Sequence, residues 1–504
     1  MTERLSVNKI NKLSKNREVW CWGCGFQYGR MIKTYCKELF AEHIVGLIDT
    51  NRDAQGTTRY INDRSVEIFS PESLCKKKNK KILLIITCDA FNEVKTNAQE
   101  LYGDMDIIYT QYPSVYYSIS AFIKKVFFKV PLKRRLLFYV GSGSSQPHEN
   151  ADEIVRYLNE EYQGKKYDVV YMTDTPSKTL DTVKQISLST GRYRTNIFSL
   201  IRYFYLYTTA QYLLFENSPI GKLRKDQKTI YLNHGTIPLK YVRDALKQPK
   251  NLNYAVCPGP GCTKFFVEQY SVEESKLIYF MQPRVRKLFE DKKSRVDEVL
   301  NSYGEQLIVW LPTFRKLERG DKSERKDSSV ENPIFALFSS EHIHVLDELL
   351  RKNKQKLILK CHPREKESLN SIDSLNNILV ISDDYLEDNA LTLHNLMNRS
   401  DGMISDYSGI TFEYTFMDKP IGYYIPDYEQ YTRGFAVEDP FHYMPGEKMY
   451  TVDDLIEFFD GIKNGTDTFA QERRNLRNEL FGNVDPRRGA EELIRFIDDD
   501  INID

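Results

Sequence analysis

The chain has 504 residues, a length that suggests about three domains, and its 71 basic side chains equal its 71 acidic ones. Neutrality argues against a dedicated nucleic-acid binder, and 41% hydrophobic with 28% charged residues excludes global disorder. No apolar run approaches the roughly 20 residues that span a bilayer, the N-terminus is polar, and the 8 cysteines are scattered. These features predict a protein of the reducing cytoplasm.

Residues 1–114 predict a small Rossmann-like domain. Its strands are expected at Glu18–Trp22, Ile44–Ile48 and Lys81–Thr87. A glycine turn follows the first strand and opens a helix that is expected to continue through Phe40.

The glycine turn resembles a dinucleotide fingerprint. Gly23, Gly25 and Gly29 are followed, after the second strand, by Asp49. An NAD-type dinucleotide is therefore one alternative for this turn, and a cofactor-free Rossmann-like domain is the preferred one. Cys21 and Cys24 form a Cys-x-x-Cys pair, for which packing is favoured over redox or metal chemistry.

Residues 115–135 predict a linker in which basic and aromatic side chains alternate without an acidic residue. Its cluster comprises Lys124, Lys125, Lys129, Lys133, Arg134 and Arg135 among Phe122, Phe127 and Phe128. A similar run comprises Arg192, Tyr193, Arg194, Phe198, Arg202, Tyr203, Phe204 and Tyr205. One interpretation is contact with an anionic membrane surface, and the other is packing between domains.

Two further β/α sets are expected, at residues 136–290 and 291–504, with the last helix a candidate to return to the earlier set. The predicted strands are Leu136–Val140, Tyr167–Met172, Ala210–Phe215, Lys228–Leu232, Gln306–Trp310, Lys356–Lys360, Asn377–Ile381 and Gly402–Ser405. Four polar residues, His234, Thr313, His362 and Asp406, follow strands directly. Open parallel sheets bind ligands at that edge.

Two histidines at strand ends suggest a cleft with one histidine on each wall. His234 has the near-neutral pKa of a general base, although a loop histidine bonded to the backbone is the simpler alternative. His362 ends a strand of the later set. A metal site is not favoured, because no third ligand stands at a recognisable spacing.

The segment Ser405–Glu413 predicts a phosphate site. A strand, a polar turn and a helix follow one another, with Ser408 as the expected helix cap. Gly409 would admit a phosphate close to the backbone, and Glu413 would reach ribose hydroxyls. Simple helix capping is the alternative.

Together these residues resemble the CDP-glycerol:poly(glycerophosphate) glycerophosphotransferases, the family of teichoic-acid primases and polymerases. Its motifs are similar, in the same order, to His234–Lys240, Pro283–Arg284, Pro312–Arg315, His362–Pro363, Ser405–Gly409, Asp418–Pro420 and Arg433–Phe435. The resemblance covers Leu136 to the C-terminus. This chain departs from the family pattern by an inserted Ile237, by Gly409 in place of a serine and by Glu413 in place of an aspartate. Val285 and Arg286 stand where the family prefers Asn-Asp.

The resemblance implies an α/β fold: a GT-B-like pair of Rossmann lobes preceded by the small Rossmann-like domain. It implies transfer of glycerol phosphate or ribitol phosphate from a CDP-linked donor to an acceptor hydroxyl in teichoic-acid-like or capsular polymer synthesis, releasing CMP. The acceptor would be lipid-linked or a polysaccharide. His234 would be the base, and His362 would assist at the diphosphate without a metal.

The remaining implied residues would bind substrate. They are Gly235, Thr236, Ile237, Pro238, Arg284, Pro312, Thr313, Arg315, Lys360, Cys361, Asp406, Ser408, Gly409, Glu413 and Arg433. Three other functions stay open: a nucleotide-sugar glycosyltransferase of the same fold, an NAD-dependent oxidoreductase and a non-catalytic membrane-associated scaffold.

Overall fold

A computed structural model describes most of the chain. The described residues are 2–24, 26–35, 37–52, 54–61, 64–87, 91–111, 125–139, 149–173, 184–187, 197–216, 220–233, 235–242, 251–313, 333–338, 342–360 and 375–503. They form two compact units, the first ending at Lys125 and the second beginning at Val126.

The first unit contains a six-stranded sheet with the order β3-β4-β2-β1-β5-β6. Its strands are β1 (Glu18–Trp22), β2 (Ile44–Ile48), β3 (Thr58–Ile61), β4 (Arg64–Phe69), β5 (Ile82–Ile86) and β6 (Ile107–Gln111), and its helices are α1 (Thr2–Ser14), α2 (Phe26–Tyr35), α3 (Leu39–Glu42) and α4 (Phe91–Tyr102). All pairings are parallel except that of β3 with β4. Every residue of β5 is buried, as expected for an apolar central strand covered on both faces. The helix predicted to reach Phe40 instead ends at Tyr35, and a separate short helix follows.

The second unit begins with a seven-stranded parallel sheet of order β13-β12-β11-β10-β7-β8-β9, here called the first lobe. Its strands are β7 (Lys133–Tyr139), β8 (Asp168–Thr173), β9 (Lys184–Ser187), β10 (Ala210–Phe215), β11 (Lys228–Tyr231), β12 (Tyr254–Cys257) and β13 (Leu277–Tyr279). Its helices are α5 (Glu149–Tyr162), α6 (Ile197–Thr209) and α7 (Thr263–Tyr270), and a 3₁₀ segment follows at Pro283–Phe289. Strand β7 starts three residues earlier than Leu136, so part of the predicted linker belongs to this sheet.

The second lobe is a six-stranded parallel sheet of order β16-β15-β14-β17-β18-β19. Its strands are β14 (Gln306–Trp310), β15 (Gln355–Leu359), β16 (Ile378–Val380), β17 (Gly402–Ser405), β18 (Ile421–Tyr424) and β19 (Glu447–Met449). Its helices are α8 (Lys293–Leu300), α9 (Pro333–Phe338), α10 (His342–Asn353), α11 (Asp383–Asp388), α12 (Leu393–Arg399), α13 (Ile410–Tyr414), α14 (Val452–Asn464) and α15 (Ala470–Phe481). The expected pair of Rossmann-like lobes after a small Rossmann-like domain is confirmed.

The last helix, α16 (Gly489–Ile503), packs on the first lobe although it follows the second lobe in the chain. Its buried Leu493, Ile494 and Ile497 share a hydrophobic core with strands of the first-lobe sheet. Near the C-terminal end of the helix, the Asp500 carboxylate accepts hydrogen bonds from the hydroxyls of Tyr212 and Tyr254. It also forms an ion pair with Lys228. The chain therefore crosses back to close the first lobe.

The basic residues of the predicted linker do not all face solvent. Arg135 is buried and pairs with Asp168 through Nη2 at 2.6 Å, so it serves the fold of the first lobe. Phe204, from the second basic aromatic run, is also buried. No helix in the described part of the chain is both long and apolar enough to cross a membrane.

Candidate active site

A network centred on Glu413 joins the two lobes. The Glu413 side chain, on α13 of the second lobe, has no exposed surface. One carboxylate oxygen accepts the Thr236 hydroxyl at 2.7 Å and pairs with the Arg284 guanidinium, and both of these residues belong to the first lobe. The other oxygen lies 2.8 Å from His394 Nε2 on α12. Thr236 is two residues beyond His234 in the sequence, so the network fixes the described loop that follows this position.

The charge of Glu413 is stabilised despite its burial. Burial by itself raises the pKa of this carboxyl group, but the positive charge of Arg284 and the hydrogen bonds from His394 and Thr236 outweigh it and hold the pKa below its ordinary value. Glu413 is therefore an ionised group whose oxygens contact protein. Its expected contact with ribose hydroxyls is not supported, because the side chain does not reach the surface.

The backbone after His234 is also attached to the second lobe. Lys240 forms an antiparallel bridge with Phe435, and the flanking hydrogen bonds run from Tyr241 N–H to the Gly434 carbonyl (3.0 Å) and from Ala436 N–H to the Leu239 carbonyl (2.8 Å). Arg433 Nε donates to the Tyr241 carbonyl at 2.7 Å. Arg433, predicted to bind substrate, thus contacts the backbone of the other lobe.

Gly409 allows a close approach of the backbone at Ile237. A Cβ atom at this position would overlap with the carbonyl oxygen of Ile237. Two of the departures from the family pattern, the inserted Ile237 and the glycine at 409, therefore meet at one contact between the lobes. Any side chain at 409 would force the two loops apart.

Ser408 does not cap the helix as predicted. Helix α13 starts at Ile410, its cap residue is Gly409, and no side chain caps it. Ser408 instead offers its carbonyl oxygen to the Thr411 hydroxyl at 3.0 Å. The phosphate site expected here stays a prediction, and the observed helix has only five residues.

The loops after β14 and β15 are held within the second lobe. The Asp406 carboxylate accepts both the N–H (2.9 Å) and the hydroxyl (2.6 Å) of Thr313. Lys360 Nζ lies 2.8 Å from Asp383. Asp406 and Thr313 therefore shape the loop that carries Pro312.

The predicted substrate residues fall into two groups by exposure. Buried ones, which contact other protein groups, are Thr236, Ile237, Pro238, Thr313, Asp406 and Glu413. Partly exposed ones, which remain candidates for direct contact, are Gly235, Arg284, Pro312, Lys360, Ser408, Gly409 and Arg433. Five predicted residues lie outside the described part of the chain: Gly25, His234, Arg315, Cys361 and His362.

The turn after β1 has a different construction. Asp49, directly after β2, accepts the backbone N–H groups of Cys24 and Asn51, each at 2.9 Å, so its carboxylate links the turn after β1 to the turn after β2. Gly23 has φ +96°, a conformation that favours glycine. A Cβ at Gly29 would meet nothing within 4 Å, so Gly29 is not the close-packing glycine of a dinucleotide fingerprint. The dinucleotide alternative stays a prediction without support from this geometry.

The Cys-x-x-Cys pair is buried, and the pKa values of both thiols are raised. Burial raises the pKa of Cys21, and burial together with the negative charge of Asp49 raises that of Cys24 to about 12. A protonated thiol is a poor nucleophile and metal ligand. Within the described residues, no group of three or more His, Cys, Asp or Glu side chains is placed to hold a metal ion.

A sequence model for CDP-Glycerol:Poly(glycerophosphate) glycerophosphotransferase matches residues 122–499. The chain belongs to this family. Teichoic acid ribitol-phosphate primase of Bacillus spizizenii is 26% identical over 213 residues, which are 41% of this chain and 50% of the primase. Teichoic acid poly(glycerol phosphate) polymerase of the same organism is 23% identical over 384 residues, 71% of this chain and 91% of the polymerase.

The structure of the wall teichoic acid polymerase TagF has the same fold, with a TM-score of 0.55 and 17% identity over 77% of this chain and 95% of that chain. The family match begins at residue 122, close to Val126, where the second unit starts. Membership in the glycerophosphotransferase family therefore rests on the two lobes and not on the N-terminal domain.

Three residues of this family member's site were missed from the sequence. His394 lies in a short helix with no exposed residue, and no local pattern distinguishes it from a core histidine. Asn150 and Asn233 hold the backbone near His234 and Arg284. Only Asn233 carried a signal, because asparagine directly after a strand favours a left-handed conformation.

Proposed function

We propose that the chain transfers a polyol phosphate from a CDP-linked donor to an acceptor hydroxyl and releases CMP. The observation that carries this proposal is the Glu413 network, in which Thr236 and Arg284 of the first lobe bind one carboxylate of the second lobe in a family member. Glycerol phosphate and ribitol phosphate are both named among the relatives and are the candidate groups.

In the proposed reaction the acceptor oxygen attacks the phosphorus that carries the polyol. A new P–O bond forms, the diphosphate P–O bond breaks, and its electron pair leaves on CMP. His234 takes the hydroxyl proton. Arg284, Lys360 and His362 neutralise negative charge on the diphosphate, which is the main requirement of such transfers. Because Lys360 contacts Asp383, donor binding through Lys360 requires this ion pair to be extended or exchanged.

The test is a donor screen with CDP-glycerol, CDP-ribitol, UDP-sugars and GDP-sugars, in which the released nucleotide is identified. Release of CMP supports the proposal. Release of UDP or GDP would instead identify a nucleotide-sugar glycosyltransferase, and no release from any donor in the presence of acceptor would favour a scaffold.

We also propose that the reaction needs no metal or other cofactor, since cationic side chains and backbone N–H groups can stabilise the charge. Full CMP release in the presence of a chelator is the expected result. Activity that disappears with the chelator and returns with a divalent cation would contradict it.

A third part of the proposal is that the acceptor is lipid-linked and that the first lobe contacts anionic lipid from the cytoplasmic side. Val126, Phe128 and Ile201 are large apolar side chains with 37–45% exposure. They are accompanied by exposed cations, namely Lys125, Lys129, Lys133, Arg134 and Arg202. Phe127 packs edge-on against Tyr205 of α6, which brings the two segments together. Cations near anionic lipid contribute about 1 kcal/mol each, and apolar side chains enter the interface.

Liposome flotation tests this surface. Replacing Lys125, Lys129, Lys133 and Arg134 by glutamine should reduce binding to anionic but not neutral vesicles; Arg135 is kept because its ion pair is structural. The control replaces Lys76, Lys77, Lys78 and Lys80, which are exposed in the first unit and give the same change in charge. Equal loss in both variants would show a general charge effect and contradict the proposed surface.

A further inference from the structure

Asn150 contacts the backbone beside two proposed functional residues. It lies in the first turn of α5 and has no exposed surface. Its Nδ2 donates to the Asn233 carbonyl at 3.0 Å, and its Oδ1 accepts the Arg284 N–H at 3.1 Å. The Asn233 carbonyl belongs to the peptide bond that joins Asn233 to His234. One buried amide therefore bonds to the backbone of Asn233, which precedes the predicted base in the sequence, and to that of Arg284, the predicted diphosphate ligand.

The backbone that Asn150 holds has an unusual conformation. Asn233 has φ +60°, in the left-handed region that is uncommon for residues other than glycine and that asparagine adopts more often than most. Its side chain is fixed as well, because Oδ1 accepts the Tyr231 hydroxyl at 2.9 Å and Nδ2 donates to the Tyr270 hydroxyl at 3.4 Å. Such conformations persist only where the surroundings enforce them, and they are concentrated at functional sites.

The position of Asn150 does not suggest an ordinary helix cap. A capping side chain bonds to N–H groups within its own first turn. Both bonds of Asn150 instead leave the helix, to partners 83 and 134 residues further along the chain. A polar side chain that is fully buried, satisfied and directed at two distant loops has the properties of a structural link between those loops.

We propose that Asn150 is a positioning residue: its amide fixes the Asn233 carbonyl, in the peptide unit before His234, relative to the backbone of Arg284. This inference rests on the proposed transferase function. A general base must lie within hydrogen-bond distance of the proton it takes, and an error of about 1 Å in position can cost about 100-fold in rate. The two atoms of the amide act on different steps: Nδ2 on proton removal through Asn233, and Oδ1 on donor binding through Arg284.

Two substitutions separate these effects. Asn150→Asp keeps an acceptor for the Arg284 N–H but loses the donor to the Asn233 carbonyl. It should lower kcat for CMP release about 100-fold while the Kd for the CDP-polyol changes less than about 3-fold. Asn150→Ala loses both bonds, so it should lower kcat similarly and also raise Kd. The matched control is Asn159→Asp, on an exposed position of the same helix, with kcat and Kd unchanged.

Calorimetry with CDP-glycerol and CDP-ribitol gives both the Kd and the number of binding sites per chain, so a partly unfolded variant is recognised by a stoichiometry below one. Turnover is then expressed per binding site. A kcat of Asn150→Asp per binding site equal to that of the unsubstituted protein would overturn the inference alone. So would a loss of kcat that is explained entirely by reduced stoichiometry. Failure of the unsubstituted protein to release CMP from any donor would overturn the proposed function, and this inference with it.

Discussion

Three turns at strand ends contain similar types of residue but differ in the bonds that hold them. The turn after β1 in the first unit and the loops after β11 and β17 in the second unit all combine an apolar strand, a glycine and polar residues. In the first unit Asp49, directly after β2, accepts the N–H groups of Asn51 and of Cys24, 25 residues earlier, so its bonds stay within one sheet. In the second unit Glu413 binds partners 129 and 177 residues away. The candidate site is therefore distinguished by a hydrogen bond and an ion pair between two lobes, and not by its sequence motif alone.

The largest expected effect in this comparison comes from His234→Ala. Loss of a general base lowers kcat by about 10²–10⁴-fold, while donor binding should stay nearly unchanged because the base acts in the transition state. CMP release and donor calorimetry measure the two quantities. The control is His442→Ala, which removes an exposed side chain paired with Glu479. Near-normal turnover by folded His234→Ala would remove His234 from its proposed role.

Glu413→Ala should have the next largest effect, mainly on stability. It leaves Arg284, which is only 11% exposed, without its charged partner, and breaking such a buried pair costs about 3–5 kcal/mol. The expected result is a lower thermal midpoint for the second unit. An unchanged midpoint would show that the Glu413 network does not hold the lobes.

The pH dependence of the Glu413 effect has a defined sign. Because the folded-state pKa is lowered, the ionised carboxylate stabilises the fold above its unfolded pKa of about 4.3, and this contribution is lost as pH falls through the folded value. The difference in thermal midpoint between the unsubstituted protein and Glu413→Gln should therefore shrink below about pH 4.3. A difference that is constant from pH 7 to pH 3 would contradict the assignment of charge.

Much of the fold was predictable because central strands are apolar and long enough to show a pattern. Glu18–Trp22, Ala210–Phe215, Gln306–Trp310 and Gly402–Ser405 were predicted with the bounds that the structure has. Short strands such as Leu277–Tyr279 and Glu447–Met449 were missed, since three residues carry no periodicity. The Glu413 network was also unpredictable, because its partners are brought together only by the packing of two lobes.

Gly409→Ala should have an intermediate effect. The new methyl group would overlap with the Ile237 carbonyl, and backbone on both sides gives way poorly, so a cost of about 1–3 kcal/mol is expected together with reduced CMP release. Gly221→Ala, at a position of the first lobe with nothing within 4 Å of the added Cβ, is the control. Equal behaviour of the two variants would mean that the loops separate without cost.

Gly29→Ala should have the smallest effect on stability, and it should stabilise the protein where the preceding variants destabilise it. The added Cβ meets no neighbour, and replacing a helical glycine by alanine stabilises by about 1 kcal/mol. Hydrogen exchange of α2 should become slower, while CMP release stays unchanged. Titration with NAD, followed by fluorescence, tests the remaining alternative: saturable binding that Gly29→Ala abolishes would show that this turn is a dinucleotide site after all.

The return of α16 to the first lobe has a consequence for synthesis of the chain. Tyr212 and Asp500, which bond to each other, are 288 residues apart in the sequence. At about 5–20 residues per second, the ribosome needs roughly 15–60 s to make the intervening segment. Leu493, Ile494 and Ile497 cover one face of the first-lobe sheet in the finished protein. During that interval this face is exposed to solvent. The synthesis of the first lobe therefore begins before that of the second lobe, but the first lobe is completed only after the second.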